Sequence, residues 1–492
     1  MKLFESFKRL RNEYGGEPAF LITSGDRSVP ISWRQFTDDI AVIVWLIDKH
    51  VPGGTIGLIG ENSYEWMVVH AAILFSGAKV VPLDVNLTPA EIAARLKFTG
   101  ASILVHSALY AEKAHAAAAQ MPGLATGGFG TRKTDIFLNA GRLAIRLGFK
   151  TIWERQGYEP DREAVKMIVF TSGTTSEPRG AQLTIHGIET FADSAEKKLK
   201  MKSADHSLML LPLHHIFGIC TSYLMLSKGV ALGVCPDFRR IYDAVERFRV
   251  NYLFLVPALA EILAQRIEQH GRSAEEALGS PLDWILIGGA PLPRRTYEHL
   301  TSLGVKMLTG YGLTETTALY SIAPDEGDQH VGSAGEVTRS EECETRVSEE
   351  GELLIRGPAV MKGYYKMPEK TAAAIDADGW YHTGDIGSID QDGFVWITGR
   401  ASRTIILSSG KKVAPEELEE KLLSIPGIRE AVVSGEGLTR EIRAEVYGTI
   451  SEESIKRAIG QMNLMMPVYK RISKIIVRTE PFPRTSSGKI KV

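Results

Sequence analysis

The chain has 492 residues, 44% of them hydrophobic and 24% charged. That balance excludes a mainly disordered or collagen-like polypeptide and, at this length, implies more than one domain, because single cores stop growing at about 250–300 residues. With 57 Lys plus Arg against 59 Asp plus Glu, a net charge of −2 gives no bulk attraction to nucleic acid. Cys220, Cys235 and Cys343 are far apart and form no CxxC or Cys/His cluster. This argues against a disulfide framework or structural zinc and fits a reducing cytoplasm. The first residues lack the apolar core and small-residue cleavage site of a secretory signal.

Along the chain, short β-branched runs alternate with amphipathic helical patterns, as in α/β layers around parallel strands. Residues 55–59 read as a strand ending at Gly60-Glu61-Asn62, and 64–76 as a helix. Residues 79–82 read as a strand, and 89–98 as a helix opened by Thr88, a good N-cap. Further strands are expected at 102–106, 231–235, 252–256, 284–287 and 306–308. The most apolar stretch, 208–235, is interrupted by Pro212, His214, His215 and Lys228, so it reads as buried helix, loop and strand rather than a membrane span. Residues 120–150 read as a Gly-rich turn and a basic surface helix with snorkelling Arg142, Arg146 and Lys150. The minor alternative is an interfacial helix in peripheral contact with a membrane. After Arg400 comes a compact α+β stretch: a strand near 404–407, a helix at 415–423, a strand at 430–433 and a helix at 452–462. The expected division is therefore 1–400 and 401–492.

Four segments carry chemistry. In the first, an apolar strand (Ile168, Val169, Phe170) runs into Thr171-Ser172-Gly173-Thr174-Thr175-Ser176-Glu177-Pro178-Arg179. Exposed N–H groups and hydroxyls there can wrap phosphate oxygens while Arg179 neutralises charge, although no GxxxxGK[ST] loop is present. The second is Gly310-Tyr311-Gly312-Leu313-Thr314-Glu315, an aromatic platform, a hydroxyl and a carboxylate within one turn; a Glu oxygen suits Mg²⁺. The third is Gly379-Trp380-Tyr381-His382-Thr383-Gly384-Asp385 with Gly399-Arg400, where an Asp at the end of a turn can accept two ribose hydroxyls. The fourth is Pro483-Arg484-Thr485-Ser486-Ser487-Gly488-Lys489. Singly, each has a plain reading as turn, capped loop or basic tail. Their joint occurrence in this order does not.

The set resembles the adenylate-forming superfamily of acyl-CoA and aryl-CoA synthetases, luciferases and nonribosomal adenylation domains, from about Ser32-Trp33 to Lys489. The resemblance implies an α/β fold, with a large N-terminal domain of layered α/β subdomains and a small mobile α+β C-terminal domain. It also implies an ATP-dependent acid:thiol ligase, closest to fatty acyl-CoA synthetases. Such an enzyme takes ATP, Mg²⁺ and CoA, and forms an acyl-adenylate with release of pyrophosphate before transfer to the thiol.

By motif, the resemblance makes Thr171, Ser172, Gly173, Thr174, Thr175 and Arg179 the phosphate loop. Tyr311 stacks on adenine beside Gly312 and Thr314, and Gly289, Ala290 and Pro291 line adenine and the acyl group. Glu315 holds Mg²⁺, Asp385 and Arg400 hold ribose, and Lys489 bridges the acyl carboxylate and α-phosphate. His215, in Leu211-Pro212-Leu213-His214-His215, becomes the carboxylate gate. Ser402 falls at the hinge, and Ser409, Gly410 and Lys411 form the thiol loop.

Three positions depart from the family: Ser176 stands where Gly is preferred, Arg179 where Lys is, and Ser402 where Asp or Lys is. The gating element holds no carboxylate to pair with an α-ammonium, which disfavours an amino acid. Its neighbours Ile216, Phe217, Ile219, Tyr223, Leu255, Leu259 and Ile285 are apolar, so a fatty acid is expected first and an aryl acid second. The competing readings are an adenylate ligase that loads an acyl carrier protein in trans and, from another class, a nucleotide-binding protein that has lost turnover.

Overall fold

The computed structural model describes residues 2–24, 27–130, 151–171, 178–235, 237–270, 274–292, 294–318, 320–323, 330, 332–337, 342–408, 411–436, 441–484 and 490. The basic segment expected over 131–150, with its lipid-contact alternative, lies outside them.

Two large sheets build the N-terminal portion. The first runs in the order Ala125–Phe129, Ile103–Ser107, Thr55–Ile59, Lys79–Pro82, Val165–Thr171, Arg179–Thr184. All its neighbours are parallel except the last two strands, which form an antiparallel hairpin. The second has nine strands, with Met307–Tyr311, Trp284–Ile287, Tyr252–Leu255, His206–Met209 and Ala231–Val234 as its parallel centre. Central parallel strands must be covered on both faces, and Tyr252–Leu255 and Trp284–Ile287, apolar and buried at every residue, reflect this.

Two helices from the most apolar stretches supply that cover. Tyr64–Phe75 is capped by Ser63, whose hydroxyl accepts from the Trp66 N–H at 3.2 Å. Ile216–Ser227 starts right after His215. Every residue of the first is buried except Glu65, and every residue of the second except Phe217. Helices apolar all round belong in a core, and both pack into one buried cluster shared by the two sheets. The 208–235 stretch is thus strand, helix and strand, and no helix among the described residues is long and apolar enough to cross a membrane.

A four-stranded antiparallel sheet follows: Glu344–Val347, Glu352–Arg356, Tyr381–Ile389 and Val395–Arg400. Beyond it, Ile405–Ile406, Pro415–Leu423, Ile428–Glu436, Glu441–Gly448, Glu452–Leu464 and Lys474–Arg478 enclose a separate core of Leu418, Leu422, Val433, Ala444, Ile455 and Ile459. The helix at Pro415–Leu423 coincides with its expected bounds: Pro415 sits in its first turn, followed by Glu416 and Glu417.

Between the two buried helices, His70 Nδ1 lies 2.8 Å from the Tyr223 hydroxyl, and Trp66 stacks on the imidazole at 4.9 Å. Burial holds the His70 pKa down at about 3, against an ordinary 6.5. The unfolded chain therefore takes up a proton at His70 below pH 6.5, while the folded chain does so only near pH 3. Stability from this site is complete above pH 6.5 and falls as pH drops toward 3, by up to about 1.4 kcal/mol per pH unit. Urea unfolding of wild type and His70→Gln at pH 7 and 4.5 checks this: the wild type loses more stability than the variant across the interval.

Candidate active site

In open parallel sheets, ligands sit beyond the carboxyl ends of the strands, and the candidate residues gather at those ends in both large sheets. Trp284–Ile287 runs into Gly288-Gly289-Ala290-Pro291, and the neighbouring Met307–Tyr311 runs into Gly312 and the short turn Thr314–Thr316 that carries Glu315. A Cβ at Gly288 would stand 3.1 Å from both the Gly310 carbonyl oxygen and the Phe217 ring. A side chain there would crowd the close approach of these three segments.

Tyr311, expected in a turn, is the last residue of its strand. Its ring is half-buried, with the buried Tyr320 edge-on at 5.3 Å, and its hydroxyl donates to Asp385 Oδ2. The Asp385 side chain is buried. Arg400 completes its coordination, with Nε 2.6 Å from Oδ1 and Nη2 3.3 Å from Oδ2. The expectation of an Asp at the end of a turn is corrected here: Asp385 lies inside the Tyr381–Ile389 strand, cross-paired with Arg400. The pairing strand overrides the turn preference of Gly384-Asp385. Burial, then the Asp385 charge, holds the Tyr311 hydroxyl far above its ordinary pKa, so it remains a donor.

Glu315 is the second centre. Its Oε1 accepts from the Tyr364 hydroxyl at 2.9 Å, and its carbonyl accepts from the Met361 N–H at 2.8 Å. Arg179 lies with its guanidinium carbon 5.6 Å from the Tyr364 ring centroid. Arg179 does not open a helix directly. It starts the Arg179–Thr184 strand, paired across the hairpin with Thr171, and the helix Ile185–Glu196 follows with Thr184 as its N-cap. Thr171 and Arg179 therefore flank the hairpin tip; Ser172, Gly173, Thr174 and Thr175 lie outside the described residues. Arg179 Nε is buried with no hydrogen-bond partner among the described residues. A buried donor of this kind calls for an acceptor, and a nucleotide phosphate fits.

His215 caps the Ile216–Ser227 helix with its ring 4.3 Å from that of His214. His214 Nε2 in turn lies 3.6 Å from Asp84 Oδ1. Burial lowers the His214 pKa, against the opposing pull of Asp84. The loop before it is held by Asn62, at the carboxyl end of the other sheet: its amide donates to the carbonyls of Met209 (3.2 Å) and Leu211 (2.9 Å) and accepts from the Leu213 N–H at 3.1 Å. The sequence marked Asn62 only as a strand end and gave Tyr364 no role. Of the expected acyl-pocket lining, Ile216, Ile219, Tyr223, Leu255 and Ile285 are buried core, while Phe217 and Leu259 are partly exposed.

Ser402 is exposed in the turn Ala401–Arg403, between two anchored arginines. Arg400 is tied to Asp385, and Arg403 reaches Glu416 at 2.9 Å and Glu419 at 2.6 Å. Lys411 turns to Tyr469, 4.3 Å from the ring centroid, and is not brought to the Tyr311–Asp385 cleft; Ser409 and Gly410 lie outside the described residues. So does Lys489, between Arg484 and Ile490, which form an isolated bridge, with Arg484 held to Glu430 at 2.5 Å.

The residue patterns match two family models: "AMP-binding enzyme" over residues 7–365 and "AMP-binding enzyme C-terminal domain" over 402–491. The chain belongs to the AMP-binding enzyme family. Its curated relatives include 4-coumarate–CoA ligase 2 of Oryza sativa subsp. japonica, 30% identical over 89% of this chain and 82% of the relative. Another is the long-chain-fatty-acid–CoA ligase FadD13 of Mycobacterium tuberculosis, 28% identical over 89% of this chain and 86% of the relative. The fold of this AMP-binding enzyme is that of ATP-bound MatB from Rhodopseudomonas palustris, with a TM-score of 0.84 at 24% identity over 100% of this chain and 97% of that one. It is an AMP-forming acid:thiol ligase.

Removing the Asn62 amide leaves two carbonyls and one N–H of the histidine loop without partners. Asn62→Ala should speed amide hydrogen exchange in the 209–215 peptide by at least roughly tenfold. The Met307–Tyr311 strand, which Asn62 does not touch, should exchange as before.

Proposed function

We propose that this chain activates an apolar carboxylic acid, in the first instance a fatty acid, as its acyl-adenylate and passes the acyl group to CoA. The observation that carries the reading is the pairing of candidate residues in two contact sets, Arg179 through Tyr364 to Glu315 and Tyr311 through Asp385 to Arg400. On this reading it supplies an aromatic face for the base, a carboxylate for ribose and a cation for phosphate.

In the first half-reaction, an acid oxygen bonds to the α-phosphorus of ATP as the bond to the bridging oxygen breaks, and pyrophosphate leaves. In the second, the CoA thiolate attacks the acyl carbonyl and AMP leaves. The acid is already ionised, so the protein's task is positioning and charge neutralisation. On this reading the Tyr311 ring supports adenine, Asp385 accepts the ribose hydroxyls, and Thr171 and Arg179 with the loop between them hold phosphate. Gly289, Ala290 and Pro291 edge the base, and His215 stands at the carboxylate. Lys489 approaches from the C-terminal domain (401–492), which turns about Ser402 and later presents the 409–411 loop. The described residues contain no group of three His, Cys, Asp or Glu able to hold a metal by themselves. A lone Glu315 carboxylate fits Mg²⁺ carried mainly by nucleotide phosphates; the ion would neutralise phosphate charge there.

Support for an apolar acid comes from Phe217, the one partly open residue of its helix, lying against Gly288 with Phe254 at 6.4 Å and Trp284 beyond. This aromatic column also favours a second reading, a compact aryl acid, and the named relatives include ligases for both kinds of acid. ATP–pyrophosphate exchange across C2–C18 and aromatic acids decides between them: a maximum at an aliphatic acid is expected, and a maximum at an aromatic acid selects the second reading. Exchange with no acid would contradict both. Lys489→Ala should abolish exchange yet leave thiolysis of supplied acyl-adenylate within about threefold of wild type; equal loss in both would remove Lys489 from the first step.

A further inference from the structure

The segment 361–365 is stitched between two parts of the site. On one side, the Met361 N–H donates to the Glu315 carbonyl at 2.8 Å. On the other, the segment pairs with the Arg179–Thr184 strand: Lys362 N–H to Gln182 O (2.9 Å), Gln182 N–H to Gly363 O (3.0 Å), Tyr365 N–H to Gly180 O (2.8 Å), with Ala181 bridged to Tyr364. The turn needs Gly363, whose φ is +130° and whose Cβ would meet the Thr371 side chain at 2.7 Å. The Tyr364 N–H donates to the Thr371 hydroxyl at 2.9 Å. The ring of Tyr364 is therefore fixed from the backbone between the end of the phosphate loop and Glu315.

The phenol has one proton to give and two lone pairs to receive. It gives the proton to Glu315 Oε1 at 2.9 Å. Arg179 stands on the other side, its guanidinium carbon 5.6 Å from the ring centroid. A cation, a phenol and a carboxylate in line polarise one another in the same direction. The Arg179 Nε, buried and without a partner among the described residues, leaves the far end of this chain open to an anion.

We propose that Tyr364 is a positioning residue that couples Arg179 to Glu315, so that anion binding at Arg179 and orientation of the Glu315 carboxylate become one event. The proposal rests on the nucleotide reading above and adds to it a part for Arg179. The arginine in place of the family's preferred lysine sets its guanidinium against the Tyr364 ring while its Nε is left for an anion, which a single ammonium does less well. Adenine and ribose contacts, made by Tyr311 and Asp385, lie outside the coupled unit.

The test uses the full chain without carboxylic acid, so that no turnover occurs. Calorimetric titrations with ATP plus Mg²⁺, and separately with AMP alone, are compared for wild type, Tyr364→Phe, Arg179→Met and the double variant. Tyr364→Phe is expected to weaken Mg²⁺–ATP binding about tenfold, the scale of a hydrogen bond to a charged group, and to leave AMP affinity within about twofold. The double variant should be no weaker than Arg179→Met alone. Equal weakening of AMP and Mg²⁺–ATP would mean a merely structural role and overturn the proposal, as would unchanged binding of both. Effects that multiply in the double variant would overturn the coupling. Wild-type pyrophosphate exchange, run on the same preparation, separates the two ideas: its absence with every acid sinks the functional reading, whereas its presence with unaltered Tyr364→Phe binding sinks only this one.

Discussion

The buried carboxylate of Asp385 is the fixed point of the site. A charge taken out of water is tolerated only when its acceptors are filled, and here the Tyr311 hydroxyl and the Arg400 guanidinium fill them. That requirement ties the end of a nine-stranded sheet to a hairpin of the four-stranded one, and it ends at the residue before the inter-core linker. The proposed ribose contact and the approach to the C-terminal core therefore share one ion pair. Three residues further on, Arg403 is clamped to Glu416 and Glu419, which leaves the exposed Ala401-Ser402 pair between two anchored arginines.

The same economy of parts recurs at Glu315, which is held through Tyr364 and the main chain of Met361. Asp385 and Glu315 share the neighbourhood of the Tyr381 hydroxyl, whose pKa is raised first by burial and then by Glu315, Tyr364 and Tyr311. A phenol thus donates to each carboxylate, Tyr311 to Asp385 and Tyr364 to Glu315. Phenols suit that place: each keeps its proton at neutral pH, carries no charge to desolvate, and can both donate and accept.

Much of this was legible from sequence where the signal is local. Thr88 with Glu91 forms the capping box expected of a helix start, and Pro415 followed by two glutamates marks its helix to the residue. The segments carrying Tyr311, Glu315, Asp385 and Arg400 were singled out by residue type, and the structure brings them together. What failed was local conformation under tertiary control. Gly384-Asp385 has turn chemistry, yet pairing with Val395–Arg400 makes it a strand. Arg179–Thr184 lacks a strand pattern and is a strand because Val165–Thr171 lies on one side and 361–365 on the other. Asn62 and Tyr364 were not legible at all. Their roles consist of bonds to Leu211 and Glu315, distant in sequence, and nothing in their own neighbourhoods announces such partners. The apolar lining was over-read for a related reason: in an α/β layer, residues beside a site are more often core than pocket.

The central claim is that these segments surround one nucleotide. A crystal structure of the chain grown with AMP tests it most directly. The account predicts the adenine on the Tyr311 ring, both ribose hydroxyls on the Asp385 carboxylate, and the phosphate between Thr171 and Arg179. Density for AMP in any other cavity, with the Tyr311–Asp385–Arg400 contacts undisturbed and the cleft empty, would contradict it.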